Sequence, residues 1–137
     1  MSHEVAIHDQ REPRDIGLAS LGHAQDYATN VSEVTGRVVD HFRNTRLEEA
    51  NQLLAQVLDA IHVLVFTIDS ASHVLEGDLA ERCPDASADS EAWIARLLEA
   101  QENRDWIRVA DVLEYDVRRS LDGWSETLAA IVEGEAR

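Results

Sequence analysis

Four stretches of this chain carry apolar side chains at every third or fourth position, and this periodicity limits the fold more than any other feature. Such a spacing places the apolar side chains on one face of an α-helix, and that face has to be covered by other helices. Stretches that alternate apolar and polar residues, as half-buried strands do, are almost absent. The sequence therefore predicts an all-α fold.

The first two predicted helices are joined by a short turn. The first covers residues 23–43, and the second begins at Thr45 and Glu48, which have the spacing of a capping box, and continues to about Leu75. Residues 77–89 contain Gly, Pro, Ser and four acidic residues without a helical period, so they form the predicted linker to the second half of the chain. The first two helices therefore form one αα-hairpin.

The second half of the chain predicts another αα-hairpin. Its first helix begins at a cap formed by Asp89 and Ser90 and ends near Glu102. A short turn leads to the last helix, which Asp105 caps and in which Gly123 favours a bend. Closing the two hairpins on each other buries all four apolar faces, which gives a four-helix bundle.

The composition is that of one folded domain. The chain has 137 residues, of which 45% are hydrophobic, so it is too apolar for a disordered chain and long enough for one core. We expect a loosely structured N-terminal arm over residues 1–22, where no helical period is sustained. We expect one helical bundle domain over residues 23–137.

The charge of the chain disfavours two classes of partner. Asp and Glu number 27 against 12 basic residues, all of them Arg, and the net charge is −15. Binding to a nucleic-acid backbone or to an anionic membrane depends on clustered positive charge, so we expect neither partner. No uninterrupted apolar run approaches the roughly 20 residues of a membrane span, and the N-terminus lacks the pattern of a leader. The single Cys83 excludes an intrachain disulfide, and we expect a cytoplasmic protein.

One side of the second predicted helix carries residue types that bind metals. Asp59, His62, Asp69 and His73 lie within about 80° of one another around the helix, and we call them the Asp/His strip. Asp69 and His73 have the i,i+4 spacing that lets one ion contact both. However, the Glu-x-x-His motif of carboxylate-bridged di-metal bundles does not occur, and an ordinary solvent-exposed helix face explains the same residues. A metal-binding bundle is therefore the alternative function.

Several large apolar residues fall outside the faces that one bundle core requires. Phe66 and Val63 lie on the polar side of the second helix, and Tyr115 lies opposite the main apolar face of the last helix. With Trp93 and Trp106 they form the predicted binding surface, because aromatic residues anchor helices in grooves. Its partner is another protein or a second copy of the chain in a homodimer. For Tyr115, packing beneath a neighbouring helix explains the position as well.

The stretch Asp105-Trp106 through Ala110-Asp111 to Val117, with the sequence DWIRVADVLEYDV, resembles a motif near the end of small uncharacterised helical bacterial proteins. The resemblance covers about a dozen residues made of common helix formers. It implies a helical bundle and carries no activity or functional residue with it.

The signatures of common enzyme classes are absent from the sequence. No Gly-rich phosphate loop follows a strand, no Gly-x-Ser-x-Gly motif occurs, and Cys83 has no His nearby in sequence. We therefore expect a non-enzymatic helical interaction module without a cofactor. It would act as an adaptor or as a small acidic chaperone-like protein that holds a helical segment of a client in a groove between its two hairpins.

Overall fold

The structure is a computed structural model that describes residues 12–135, and within these residues every regular element is helical. Five helices follow one another along the chain: α1 (Pro13–Arg43), α2 (Leu47–Val74), the short α3 (Asp78–Arg82), α4 (Ala86–Glu102) and α5, which has three continuous sections (Trp106–Val112, the π-helical Leu113–Val117 and Arg118–Glu135). The predicted all-α class is confirmed.

The four long helices form the predicted bundle of two antiparallel hairpins. α1 packs along α2 and along α5, and α4 packs along α5. The two hairpin loops lie at the same end of the bundle, where the ring of Phe42 in α1 stacks on that of Trp106 in α5 with centroids 5.6 Å apart. α2 and α5 make no close backbone approach to each other, so they occupy opposite corners of the bundle.

α1 begins at Pro13 and not near residue 23, so part of the predicted arm is helical. Proline suits the first turn of a helix because the amide hydrogen it lacks would have no partner there. Gly17 is buried, and a Cβ atom at this position would lie 3.0 Å from Cδ2 of Leu75. Glycine therefore lets the first turns of α1 pack closely on the residue that follows α2, a contact with no signal in the local sequence. Residues 1–11, the rest of the predicted arm, lie outside the described residues.

The capping box predicted at the start of α2 does not form. Thr45 has a left-handed backbone with φ of 58°, and its hydroxyl donates to the carbonyl of Asn44 at 2.7 Å. Arg46 takes the N-cap position and makes no side-chain cap. The loop needs a left-handed residue to reverse the chain, and this need removes Thr45 from the place where its hydroxyl could meet the amides of the first turn.

The capping prediction was wrong for α4 and is confirmed for α5. α4 begins four residues earlier than Ser90, and its cap is Asp85, whose carboxylate accepts from the backbone amide three residues later at 3.1 Å. Asp89 instead accepts a hydrogen bond from Nε1 of Trp124 in α5 at 2.7 Å. Asp105 caps α5 in the predicted manner, with a distance of 3.2 Å. Asp89 therefore links α4 to α5 and does not cap α4.

The irregular part of α5 lies at Leu113–Val117 and not at Gly123. Val109, Leu113, Val117 and Leu121 are all buried, although each is four residues from the next. Three such steps around an α-helix would turn the last side chain about 120° away from the first. The wider π-helical turn takes up this excess rotation and keeps all four side chains in the core.

Three glycines in the helices give a test of the close contact at Gly17. We expect Gly22→Ala and Gly123→Ala each to raise the free energy of unfolding by about 0.5–1 kcal/mol, because alanine favours helix and no atom lies within 4 Å of the new Cβ. Gly17→Ala is expected to lower it by about 1 kcal/mol or more, because the new Cβ would crowd the buried Leu75. Urea denaturation measures all three, and a stabilising Gly17→Ala would contradict the close packing.

Candidate functional site

The structure separates the residues of the predicted binding surface. Phe66 and Val63 on α2 and Tyr115 on α5 are exposed, and the exposed fractions of Phe66 and Tyr115 are 69% and 57%. Because α2 and α5 occupy opposite corners of the bundle, Tyr115 does not share a surface with the other two. Trp106 is half-buried and stacks on Phe42 at the loop end. The five residues therefore do not form one continuous surface.

Trp93, a residue of the predicted binding surface, is buried in the core. Its side chain is 2% exposed, and its Nε1 donates to Oγ of Ser120 in α5 at 3.2 Å. A buried indole requires a partner for its N–H group, and α5 supplies that partner. The periodicity of α4 alone does not show that another helix offers a hydroxyl at this position.

The two hairpins pack tightly on one side of the bundle only. α1 lies against α5 along its length, with ion pairs between Arg14 and Glu135 near one end and between Arg43 and Asp111 near the other. α2 and α4 approach each other far less closely. The amide groups of Asn51 and Gln101 join them at the loop end with a hydrogen bond of 3.4 Å. The side between α2 and α4 is therefore the open side of the bundle.

A depression of about 290 Å³ lies on this open side, and we call it the hairpin groove. It is lined by Leu58, Ile61, His62 and Val65 of α2 and by Ser87, Ser90, Glu91, Trp93 and Ile94 of α4. The side chains of Leu58, Val65 and Ile94 are half-buried and form its apolar walls. Phe66 follows Val65 directly, and the exposed Leu98 lies one helical turn beyond Ile94.

Sequence reasoning missed the apolar walls of the groove. The apolar residues in and beside the walls have the spacing of core residues, so their spacing predicts that they belong to the apolar faces of their helices. They are Leu58, Val65, Ile94 and Leu98. The signal that remains in the sequence is the width of the apolar face of α2, which exceeds what one neighbouring helix covers. Which part of that face stays open depends on where α4 lies.

α2 is more apolar than its packing requires. It contains an 18-residue window with a mean hydropathy of 1.6, of which 28% is buried. Among the described residues, α2 is the one helix that is long and apolar enough to cross a membrane. Core helices of soluble proteins can have the same length and composition. Asp59 and Asp69 interrupt its apolar residues, which is why no unbroken run appears in the sequence. The apolar side chains of α2 that are not fully buried include two groups: Leu53, Leu58, Ala60 and Val65 are half-buried against the core, and Val63, Phe66 and Val74 are exposed.

The Asp/His strip is exposed along its whole length. His73 Nδ1 lies 2.7 Å from the carbonyl oxygen of Asp69 and 4.0 Å from its carboxylate Oδ1, so these two residues are neighbours. Within residues 12–135, no group of three or more His, Cys, Asp or Glu side chains is arranged to hold a metal ion. Metal binding by Asp59, His62, Asp69 and His73 stays a prediction, and the described residues supply no third ligand beside Asp69 and His73.

Cys83 lies between α3 and α4, where it is half-buried. Its Sγ donates to the carbonyl of Leu79 at 3.3 Å. Partial burial raises the pKa of the Cys83 thiol, and the charge of Arg82 opposes this shift only in part. Since the thiolate is the reactive form, a raised pKa leaves little of it at neutral pH.

Comparison with known proteins identifies a family but no activity. None of the curated proteins and none of the solved structures matches this chain. The predicted resemblance of the segment 105–117 to bacterial helical proteins is supported only as far as membership of an uncharacterised family. The model of a family described as Domain of unknown function (DUF8042) matches residues 19–127, and because this match covers most of the chain, the protein belongs to the DUF8042 family.

Proposed function

We propose that this protein is a non-enzymatic helix-binding module, an adaptor or small chaperone-like protein that holds a helical segment of a partner protein in the hairpin groove. The observation that carries the proposal is the open side of the bundle between α2 and α4, whose walls are the apolar side chains of Leu58, Val65 and Ile94. An amphipathic helix laid along this side would cover them, as helices do in other apolar grooves.

The edges of the hairpin groove support the same proposal. Phe66 on α2 follows the lining residue Val65, Leu98 on α4 lies one helical turn from the lining residue Ile94, and both are exposed. Large exposed apolar side chains next to a groove are typical of the anchors that contribute most of the binding free energy in an interface. A helix in the hairpin groove would contact both residues as well as the walls, and it would give α2 the neighbour that α4 provides only in part.

A second copy of the chain is the competing occupant. Phe66 and Val63 are exposed on one helix, and a two-fold axis would bring them together with their own copies. Light scattering at low and high salt tests this alternative. A salt-independent dimer that Phe66→Ala converts to a folded monomer would assign the surface to self-association and contradict the binding of a separate partner helix.

We propose a bacterial and cytoplasmic protein without nucleic-acid or membrane partners, on the charge and composition of the chain. The metal-binding alternative rests on the Asp/His strip alone, and metal analysis of the purified protein tests it.

A designed peptide tests the hairpin groove directly. The probe is an 18-residue helical peptide with one leucine face and no net charge, labelled for fluorescence anisotropy. We expect it to bind, and we expect Val65→Gln to weaken binding by about tenfold, or about 1.4 kcal/mol, because an amide then replaces an apolar wall. Ile107→Gln is the matched control, since Ile107 is 79% exposed and lies outside the groove.

Two results would overturn the proposed function. One is the absence of binding to the folded protein at concentrations where amphipathic helices bind their grooves, with folding verified by circular dichroism. The other is equal weakening by Val65→Gln and Ile107→Gln, which would show that the peptide contacts apolar side chains without regard to the groove. Amide hydrogen exchange adds a location, because a helix in the groove protects α2 and α4 and leaves α1 unchanged.

A further inference from the structure

The negative charge of the chain is concentrated in the part that forms the groove. Residues 47–102, which contain α2, α3 and α4, have twelve acidic side chains and two arginines. The other described residues, 12–46 and 103–135, have thirteen acidic side chains and eight arginines. The segment that contains α2, α3 and α4 therefore carries a net charge of −10 against −5 for the other described residues, although it contains fewer residues.

The two arginines of this segment do not neutralise the hairpin groove. Arg96 pairs with Asp116 of α5 at 3.4 Å, on the side of α4 that faces away from α2. Arg82 lies beside Gly134, close to the end of α5. α2 contains no arginine and no lysine. No positive side chain of the described residues 47–102 therefore faces the groove.

Three carboxylates of α2 and α4 lie in the groove lining or close to it along the helix, and we call them the acidic rim. Glu91 lines the groove on α4. On α2, Asp59 follows the lining residue Leu58 and Asp69 lies one helical turn beyond the lining residue Val65. All three are exposed. None of them is paired with an arginine within residues 12–135. The carboxylate of Asp69 has His73 as a neighbour, with Nδ1 4.0 Å from Oδ1. No arginine of the described residues therefore neutralises the acidic rim.

We infer that the helix held in the hairpin groove is cationic, with an apolar face toward the groove and Lys or Arg residues along the edges of that face. This inference rests on the proposed function and names the chemistry of the partner. Carboxylates that no arginine neutralises, next to an apolar groove, attract positive side chains and repel negative ones. Asp69 follows Asp59 by ten positions, so the two residues are about 15 Å apart along α2. A partner helix that lies along α2 would therefore contact them with side chains about ten positions apart in its own sequence.

The same charges argue against two other occupants. A second copy of the chain would place another α2, with the same carboxylates and no arginine, against the acidic rim. An anionic membrane surface would be repelled in the same way. A cationic helix is the occupant that both the apolar walls and the acidic rim favour.

Three peptides with the same leucine face test the inference on the full-length protein. Their polar positions carry lysine, glutamine or glutamate. At low salt we expect the lysine peptide to bind about tenfold more tightly than the glutamine peptide, and the glutamate peptide to bind least. The difference is expected to shrink as salt is raised, because the rim is exposed to solvent.

Removal of the acidic rim locates the effect. The triple variant Asp59→Asn, Asp69→Asn, Glu91→Gln is expected to lose most of the preference for lysine and to bind the glutamine peptide unchanged. A second triple variant, Asp26→Asn, Glu33→Gln, Asp40→Asn, removes the same charge from exposed positions of α1. It is expected to keep the preference, since these residues lie outside the hairpin groove.

The outcomes separate this inference from the proposed function. Equal binding of the lysine and glutamine peptides would overturn the cationic partner and leave the groove function standing. Equal loss of preference in both triple variants would overturn the role of the acidic rim. Failure of all three peptides would overturn both proposals. Sedimentation of the protein with phosphatidylcholine vesicles, without peptide binding, would assign the apolar face of α2 to a lipid surface and would also overturn both.

Discussion

Replacing Trp93 by alanine is expected to lower the free energy of unfolding by about 3–5 kcal/mol, because the indole fills the core and its loss leaves a large cavity. Phe66→Ala, in contrast, is expected to change it by less than about 0.5 kcal/mol, since Phe66 is 69% exposed. Both residues are aromatic and both belong to the predicted binding surface. Urea denaturation followed by circular dichroism compares them directly.

If the Trp93→Ala variant does not fold, a milder substitution still measures how much Trp93 contributes to the free energy of unfolding. Trp93→Phe retains an aromatic ring but removes the hydrogen bond from Nε1 to Ser120. We expect it to cost about 1–2 kcal/mol, the range of a lost hydrogen bond with a partner left partly unsatisfied. Similar losses from Trp93→Phe and Phe66→Ala would contradict the placement of Trp93 in the core and of Phe66 at the surface.

Deletion of Tyr115 is expected to leave the protein folded, within about 1 kcal/mol of its original stability. Tyr115 is exposed and lies within the π-helical section Leu113–Val117. Without it, Leu121 follows Val109 by eleven positions and not by twelve. An ordinary α-helix returns to within about 20° of the same face after eleven positions. The section can then become α-helical while both flanking parts of α5 keep their contacts with the core.

The matched deletion is Glu33, an exposed residue in the regular part of α1. Removing it rotates one half of α1 by about 100° relative to the other, which takes one set of buried side chains out of the core. We expect the cooperative thermal transition to disappear. Circular dichroism and thermal unfolding compare the two chains, and unfolding by both deletions would show that the π-helical section does not absorb the change of register.

The helices of this protein could be predicted because their signals are local. Apolar spacing marks α1, α2, α4 and α5, and the side chain of Asp105 caps α5 within three residues of its own position. Two of the differences involve distant residues. Gly17, in the unpredicted first turns of α1, packs on Leu75. Asp89 accepts a hydrogen bond from Trp124 and does not cap α4. The failed cap at Thr45 is local, since its hydroxyl donates to the neighbouring Asn44 carbonyl.

The candidate site could be predicted only in part. A large apolar residue on the polar face of a helix can be recognised from the periodicity of that helix alone. This is the case for Phe66, Val63 and Tyr115. Three lining residues of the groove have the spacing of core residues: Trp93, Leu58 and Val65. Spacing alone does not show whether such a residue lines a groove or lies at the centre of a core. Two residues of the acidic rim, Asp59 and Asp69, are recognised in the sequence as part of the Asp/His strip, whereas Glu91 has no signal beyond the general acid excess.

The sequence by itself determined that this chain is a helical bundle of two hairpins, because helical periodicity and short loops are properties of neighbouring residues. The tertiary structure alone decided that α1 and α5 close one side while α2 and α4 leave the other open. The apolar face of α2 is wider than any one neighbour can cover, so the position of α4 selects which of its side chains are buried. That selection turns Leu58 and Val65 into the wall of a groove.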